Sequence, residues 1–181
     1  MIGDHFAQCN AFTFQARKTL LEVTTPVLVC ASHNQELKRS FDGMMGFIGL
    51  WDTGATGSVI TQSVAAACQL HPISFANVHH VGGKQVSPVY LVNLALPNNL
   101  IISNLRVVEG DVAGADLLIG MDVICMGDFA ITNRNGITTF SFRIPSVSEI
   151  DFVEECKIAK ENIQKRTKRA KNKKKKQIKR R

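Results

Sequence analysis

"LWDTGATGSVI", Leu50 to Ile60, decides how this chain is read. The apolar run from Met44 to Trp51 reads as a buried strand that ends on a carboxylate, Asp52, and passes into a glycine-rich turn. A rigid strand holding a carboxylate at its tip suits a site that activates water. Gly54 has no Cβ, so backbone N–H groups can approach the carboxylate there. The Thr53 hydroxyl is expected to make a buried hydrogen bond that fixes the loop ahead of Ala55. Such donors favour the charged carboxylate and orient its oxygens.

Outward from this segment the chain reads as short strands. "LLEVTTPVLVC", Leu20 to Cys30, is rich in β-branched residues, with Pro26 marking an edge or a bend. "TQSVAAACQL" fits a short helix capped by Thr61 or Ser63. "FANVHHVGGKQVSPVYLVNLALP" holds two strand runs around Gly82-Gly83, and "PVYLVNLAL" alternates as a half-buried strand does. A turn at Pro97-Asn98-Asn99 leads to "LIISNLRVVEG". "ADLLIGMDVICMGDFAI" is apolar and broken by Gly120 and Gly127, and Asn135-Gly136 is a hairpin signal before "ITTFSFRI". Many short strands with turn signals between them predict a small, closed, mostly β domain with one or two short helices. The expected division is a lead-in over 1–19, the β domain over 20–146, and a helical or disordered tail over 147–181, in which Ser148 could cap a helix.

The 181 residues suit one domain plus a tail, and 45% hydrophobic content is enough for a core. No apolar stretch reaches the roughly 20 residues a membrane-spanning helix needs. The N-terminus lacks a basic start followed by an apolar run, so no secretion signal and a cytoplasmic location are expected. The five cysteines, Cys9, Cys30, Cys68, Cys125 and Cys156, are odd in number, and no pair has the close spacing of a zinc or redox motif. His79 and His80 are adjacent and would point to opposite faces of a strand, so they make a poor metal site. Charge is uneven. Residues 157–181 hold 14 Lys or Arg and one acid, Glu161, a net of +13; the whole chain is +7, which leaves −6 on residues 1–156.

"DTGA" after an apolar run, followed by "SVI", resembles the catalytic signature of retropepsin-like aspartic proteases. "DLLIGMDVI", Asp116 to Ile124, resembles that family's second motif, with Leu118-Ile119-Gly120 as its apolar-apolar-Gly element. "VHHVGGKQV", Val78 to Val86, lies where the family has its flap hairpin, which makes Val81, Gly82 and Gly83 the candidate flap tip. The resemblance runs from Leu20 to Pro145 and implies a small retropepsin-like (acid protease) β-barrel. Three features depart from the family pattern. Trp51 is bulky for its place, His79 and His80 make the flap polar, and Met121-Asp122 stands where viral enzymes carry an Arg that helps fix the dimer interface. The C-terminal strands must therefore pair in some other way.

What the resemblance implies is aspartic endopeptidase chemistry on a peptide or protein substrate, with Asp52 as the catalytic carboxylate and no metal or cofactor. The chemistry needs two facing aspartates and this chain has one such motif, so the second would be Asp52 of a symmetry mate in a homodimer. The alternative is a catalytically silent retropepsin-like module for dimerisation or peptide binding, tethered to nucleic acid by its basic tail. Residues 157–181 are a candidate for weak, non-specific binding of nucleic acid or another polyanion, and their lack of aromatics argues against reading a base sequence.

Overall fold

The computed structural model describes residues 10–32, 41, 43–80, 83–97 and 100–178. It contains ten strands: β1 (Asn10–Gln15), β2 (Val23–Ala31), β3 (Met45–Trp51), β4 (Val59–Ile60), β5 (Ser74–His80), β6 (Gly83–Leu96), β7 (Leu100–Glu109), β8 (Leu117–Ile119), β9 (Asp128–Thr132) and β10 (Thr139–Ile144). Three helices accompany them: α1 (Gln62–Ala67), α2 (Met121–Ile124) and α3 (Phe152–Ile178). The chain divides into two units, 1–147 and 148–181.

The first unit is a closed barrel. Strands β2, β3, β8, β4, β7 and β6 follow one another, and β6 pairs back onto β2 to close the ring, while β5 extends outward from β6. Closure removes the open edges that a small sheet would otherwise expose. In β2, Val23, Thr25, Val27 and Val29 are buried and alternate with more exposed residues, so the β-branched side chains line the interior. Pro26 lies where β2 pairs only with β3, and β6 joins from Leu28 onward, so the missing N–H costs no rung on the β6 side.

Strand β6 differs from the expected half-buried pattern. Val89, Tyr90, Val92, Asn93, Leu94, Ala95 and Leu96 are all buried. The strand lies inside the barrel, paired with β7 along its length and with β5 and β2 on its other side, and β7 carries a bulge opposite Asn93. Val92 pairs with Leu105 and Leu94 with Ile102, so Ser103 and Asn104 together face Asn93. Asn104 takes a positive φ of 57° there. Buried Asn93 accepts from the Asn104 N–H at 3.1 Å and donates to the Ala31 carbonyl at 3.4 Å, which satisfies backbone groups that the irregular pairing exposes.

A second sheet, in the order β1-β10-β9, packs an aromatic cluster against the barrel. Phe12 from β1, Phe140 and Phe142 from β10 and Phe129 from β9 surround Trp51, with ring centroids 4.9–6.2 Å apart. The stretch expected as a lead-in therefore contributes a core strand. "AFTFQ" alternates apolar with polar residues, and β1 pairs with β10 from Asn10↔Ile144 to Gln15↔Thr139. The C-terminal strand β10 thus finds both its neighbours within the chain. Asn135-Gly136 forms the β9–β10 connection with positive φ at both residues, as that dipeptide favours.

At the far end of this sheet Asp128 ties the chain down after β10. It accepts from Arg143 Nε at 2.6 Å, the Ser146 hydroxyl at 2.5 Å and the Val147 N–H at 3.0 Å. Burial alone would raise the Asp128 pKa. The donors from Ser146, Val147 and Arg143, with the Arg143 charge, outweigh it and hold the carboxyl at about 2.

In the second unit, α3 is capped by Asp151, not Ser148. Asp151 Oδ1 accepts from the Val153 and Glu154 N–H groups at 2.8 and 3.1 Å. Glu154 and Glu155 follow in the first turn, where the helix dipole favours them. The helix continues to Ile178, so of the helical or disordered tail expected over 147–181 the described part from Phe152 onward is helical. Among the described residues, no helix is long and apolar enough to cross a membrane.

Candidate active site

The site is built where β8 runs between β3 and β4. Strand β8 pairs parallel with β3 (Leu50↔Leu118, Trp51↔Ile119) and antiparallel with β4 (Val59↔Leu118, Ile60↔Leu117). The turn 52–58 therefore wraps around the end of β8 and brings the two motifs together. Leu117 and Ile119 are buried beneath it, while Leu118 is only partly buried.

Trp51 is what anchors Asp52. Its indole is buried among the phenylalanines, and its Nε1–H donates to Thr25 Oγ1 at 3.0 Å. Strand alternation then turns the next residue away from that core. The Asp52 N–H donates to the Ile119 carbonyl at 3.0 Å, which fixes the backbone at the carboxylate, and the side chain is half-buried. The Gly54 N–H donates to Asp52 Oδ1 at 2.7 Å. A Cβ on Gly54 would lie 3.1 Å from that same oxygen, so glycine leaves room for the bond. The Ala55 carbonyl accepts from the Met121 N–H at 2.8 Å, tying the loop to α2.

Thr53 departs from expectation. It is exposed, and among the described residues its hydroxyl has no partner.

Gly120 is required by close approach. A Cβ there would stand 2.6 Å from the Gly57 carbonyl carbon and 2.7 Å from its oxygen. These are backbone atoms that cannot swing aside, so the apolar-apolar-Gly motif is the surface on which the loop lies.

Asp122 is a site residue that local sequence does not reveal. Its Oδ2 accepts from the Ser58 N–H at 2.9 Å and its Oδ1 from the Ser58 hydroxyl at 2.8 Å. The same Oδ1 accepts from the Val123 N–H at 3.0 Å, and Ser58 Oγ accepts from the Gly120 N–H at 3.1 Å. The carboxylate thus clamps the end of the 52–58 turn to the second motif. Asp116 has a parallel role one strand along: it accepts from the Ile48 N–H at 2.8 Å, and its own carbonyl accepts from the Thr61 N–H and hydroxyl at 3.1 and 2.9 Å. Thr61 thus sits at the N-cap of α1 without a side-chain capping bond.

Of the candidate flap tip, Val81 and Gly82 lie outside the described residues. Gly83 opens β6 and pairs with His80, the last residue of β5, so a hairpin does stand between the two motifs. Among the described residues, no group of three or more His, Cys, Asp or Glu could hold a metal ion.

A six-stranded barrel whose two motifs cross under a single Asp-Thr-Gly turn defines an acid-protease-like site. Residues 41–125 match the family model described as "gag-polyprotein putative aspartyl protease". That match covers 85 of the 181 residues and supports a retropepsin-like aspartic protease domain around the Asp52 turn. No protein of curated function matches the sequence. Among solved structures, the chain is similar to the protease of EIAV in complex with an inhibitor, at 20% identity over 57% of this chain and 85% of that one, with a TM-score of 0.42. It is similar to a retropepsin-like aspartic protease from Rickettsia conorii, at 10% identity over 75% and 95% of the two chains, TM-score 0.47. It is also similar to the retroviral protease-like domain of Ddi1 from Leishmania major, at 16% identity over 74% and 100%, TM-score 0.43.

Proposed function

We propose that the protein is an aspartic endopeptidase that works as a homodimer, with Asp52 from each copy forming the catalytic pair. The observation that carries this reading is the Asp52 carboxylate itself, held by Gly54 on a loop braced against Ile119, Gly120 and Asp122. Neither nearby acid is free to be the second member within one chain: Asp122 is committed to Ser58 and Asp116 to Ile48. The exposed Thr53 fits the same reading, since a residue next to a twofold axis becomes buried only when the second copy arrives.

The chemistry follows from charge. Two carboxylates at hydrogen-bond distance cannot both ionise cheaply, so the pair shares one proton and titrates as a unit. The ionised member takes a proton from a bound water, which attacks the peptide carbonyl. The protonated member hydrogen-bonds the developing oxyanion and then helps protonate the leaving nitrogen. The hairpin of β5 and β6 would close over an extended peptide and exclude solvent, with Val81, Gly82 and Gly83 as its tip. The proposed substrate is a peptide or protein.

The test is hydrolysis of a mixed peptide library between about pH 4 and 7 by wild type and by Asp52→Asn. Cleavage by wild type alone supports the proposal. Cleavage by the variant removes Asp52 from the mechanism. Silence from both, with a folded dimer, would favour the alternative of a catalytically silent dimerisation or peptide-binding module.

A further inference from the structure

The hydrolytic reading leaves α3 without a task. All residues from Phe152 to Arg169 are exposed, and the two ion pairs on this stretch, Glu154–Lys157 and Glu161–Lys165, are solvent-facing at 3.4 Å and neutralise little of its charge. After Glu161 the chain carries 12 Lys or Arg and no acid to its end at Arg181. Nine of these fall between Asn162 and Ile178, within the helix. At a rise of about 1.5 Å per residue, that is one positive charge per roughly 3 Å of helix axis. Duplex DNA carries one negative charge per about 1.7 Å, so the two are of the same order.

The pattern discriminates among polyanions. At about 100° per residue, the nine basic positions from Lys165 to Lys176 leave no gap wider than about 80° around the helix, so the charge surrounds it and does not form one stripe. A helix that lies in a membrane surface needs an apolar face running beside its basic one. Here the large apolar residues Phe152, Val153, Ile158 and Ile163 precede the basic run, and Gln164 to Gln177 hold only Ala170 as an apolar residue. Single-stranded nucleic acid is held largely by stacking on aromatic rings, and no aromatic residue follows Phe152. Charge on all sides instead suits a groove with phosphates on both walls. The B-form major groove, about 12 Å wide, admits an α-helix with its side chains, whereas the A-form major groove is too narrow.

We propose that α3 docks on double-stranded DNA by seating in the major groove and pairing with backbone phosphates, without reading bases. Residues 1–156 carry a net −6 and are repelled by the same phosphates, so attachment is confined to this helix. The inference does not depend on Asp52 chemistry.

The test uses the full chain and fluorescence anisotropy with a 20-base-pair DNA duplex, an RNA duplex, a single strand and phosphatidylserine vesicles. The expected result is binding tightest for duplex DNA, insensitive to its sequence, and weakened about 10³-fold between 50 and 200 mM salt, as for about six phosphate contacts. Replacing Lys173, Lys174, Lys175 and Lys176 together by Gln, with helix content followed by circular dichroism, should make the log-log salt slope shallower by about 3–4 units. The same four changed to Arg should keep it. Binding that ignores salt would overturn the proposal. So would a Gln variant with unchanged affinity and helicity, or equal or tighter binding to RNA duplex, single strand or vesicles.

Discussion

Gly120→Ala adds one methyl group to the underside of the turn that carries Asp52. The new Cβ would stand 2.6 Å from the Gly57 carbonyl carbon, 2.7 Å from its oxygen and 3.1 Å from the Ala55 oxygen. To regain ordinary van der Waals separation, the turn must withdraw by about 0.5–1 Å. Three bonds resist that movement: Met121 N–H to the Ala55 carbonyl at 2.8 Å, Gly120 N–H to Ser58 Oγ at 3.1 Å, and Ser58 N–H to Asp122 at 2.9 Å. Overpacking against backbone costs about 1–3 kcal/mol, or a fall of roughly 3–10 °C in Tm for a domain of this size. Misplacing a reacting group by about 1 Å can cost about 10²-fold in rate. The variant should therefore fold, melt earlier and lose far more activity than stability. Thermal unfolding by circular dichroism and kcat/KM on one cleaved peptide measure both. A Gly120→Ala protein with wild-type Tm and wild-type kcat/KM would refute the claim that the second motif supports the catalytic turn by contact.

Asp122→Ala removes the acceptor for the Ser58 N–H and hydroxyl and the Val123 N–H, orphaning partly buried donors at a cost of about 2–4 kcal/mol, readable as a lower urea midpoint; Ser58→Ala should cost less, because it removes hydroxyl bonds only. Asp128 gives a pH signature. Its folded pKa of about 2 lies below its ordinary 3.8, so its contribution is present above about pH 4 and is lost as pH falls through 2. That contribution is on the order of 1–2 kcal/mol after solvent screening, and Arg143→Ala should shrink the acid-induced loss in a pH series of urea melts. Tyr90→Phe removes a 2.7 Å bond from the buried phenol to Glu109 and should cost about 1 kcal/mol. The Tyr90 phenol, raised to about 12 by burial and then by Glu109, should resist ionisation in an ultraviolet titration well past pH 10.

Much of the barrel and the centre of its site is legible in local sequence, because both are carried by short periodic or glycine-marked segments. The Met44–Trp51 run, the Asp-Thr-Gly turn and Leu118-Ile119-Gly120 each reveal themselves within a few residues. Trp51, bulky beside a carboxylate, makes sense once the strand's alternation sends it toward Phe140 and Phe142. What escapes local reading depends on partners far along the chain. Asp122 and Ser58 are 64 residues apart, and nothing near either one announces the clamp. The burial of β6 depends on β7, β5 and β2 flanking it, distant partners that periodicity within β6 cannot encode. The alternation in β1 is visible as Phe12-Thr13-Phe14-Gln15, but its value as core depends on β10 arriving beside it. Asp151 outcompetes Ser148 as the cap of α3 because its carboxylate reaches two N–H groups at once.

The central claim, that two Asp52 carboxylates from two copies make one site, is tested most directly by mixing subunits. Wild type and Asp52→Asn are combined at equal concentration, allowed to exchange, and assayed on one peptide. If both carboxylates are required, only dimers with two wild-type copies cleave, and activity per total protein falls to about one quarter of the wild-type value. A fall to one half, in proportion to the wild-type fraction, would mean that each chain works with its own Asp52 alone and would contradict the shared pair.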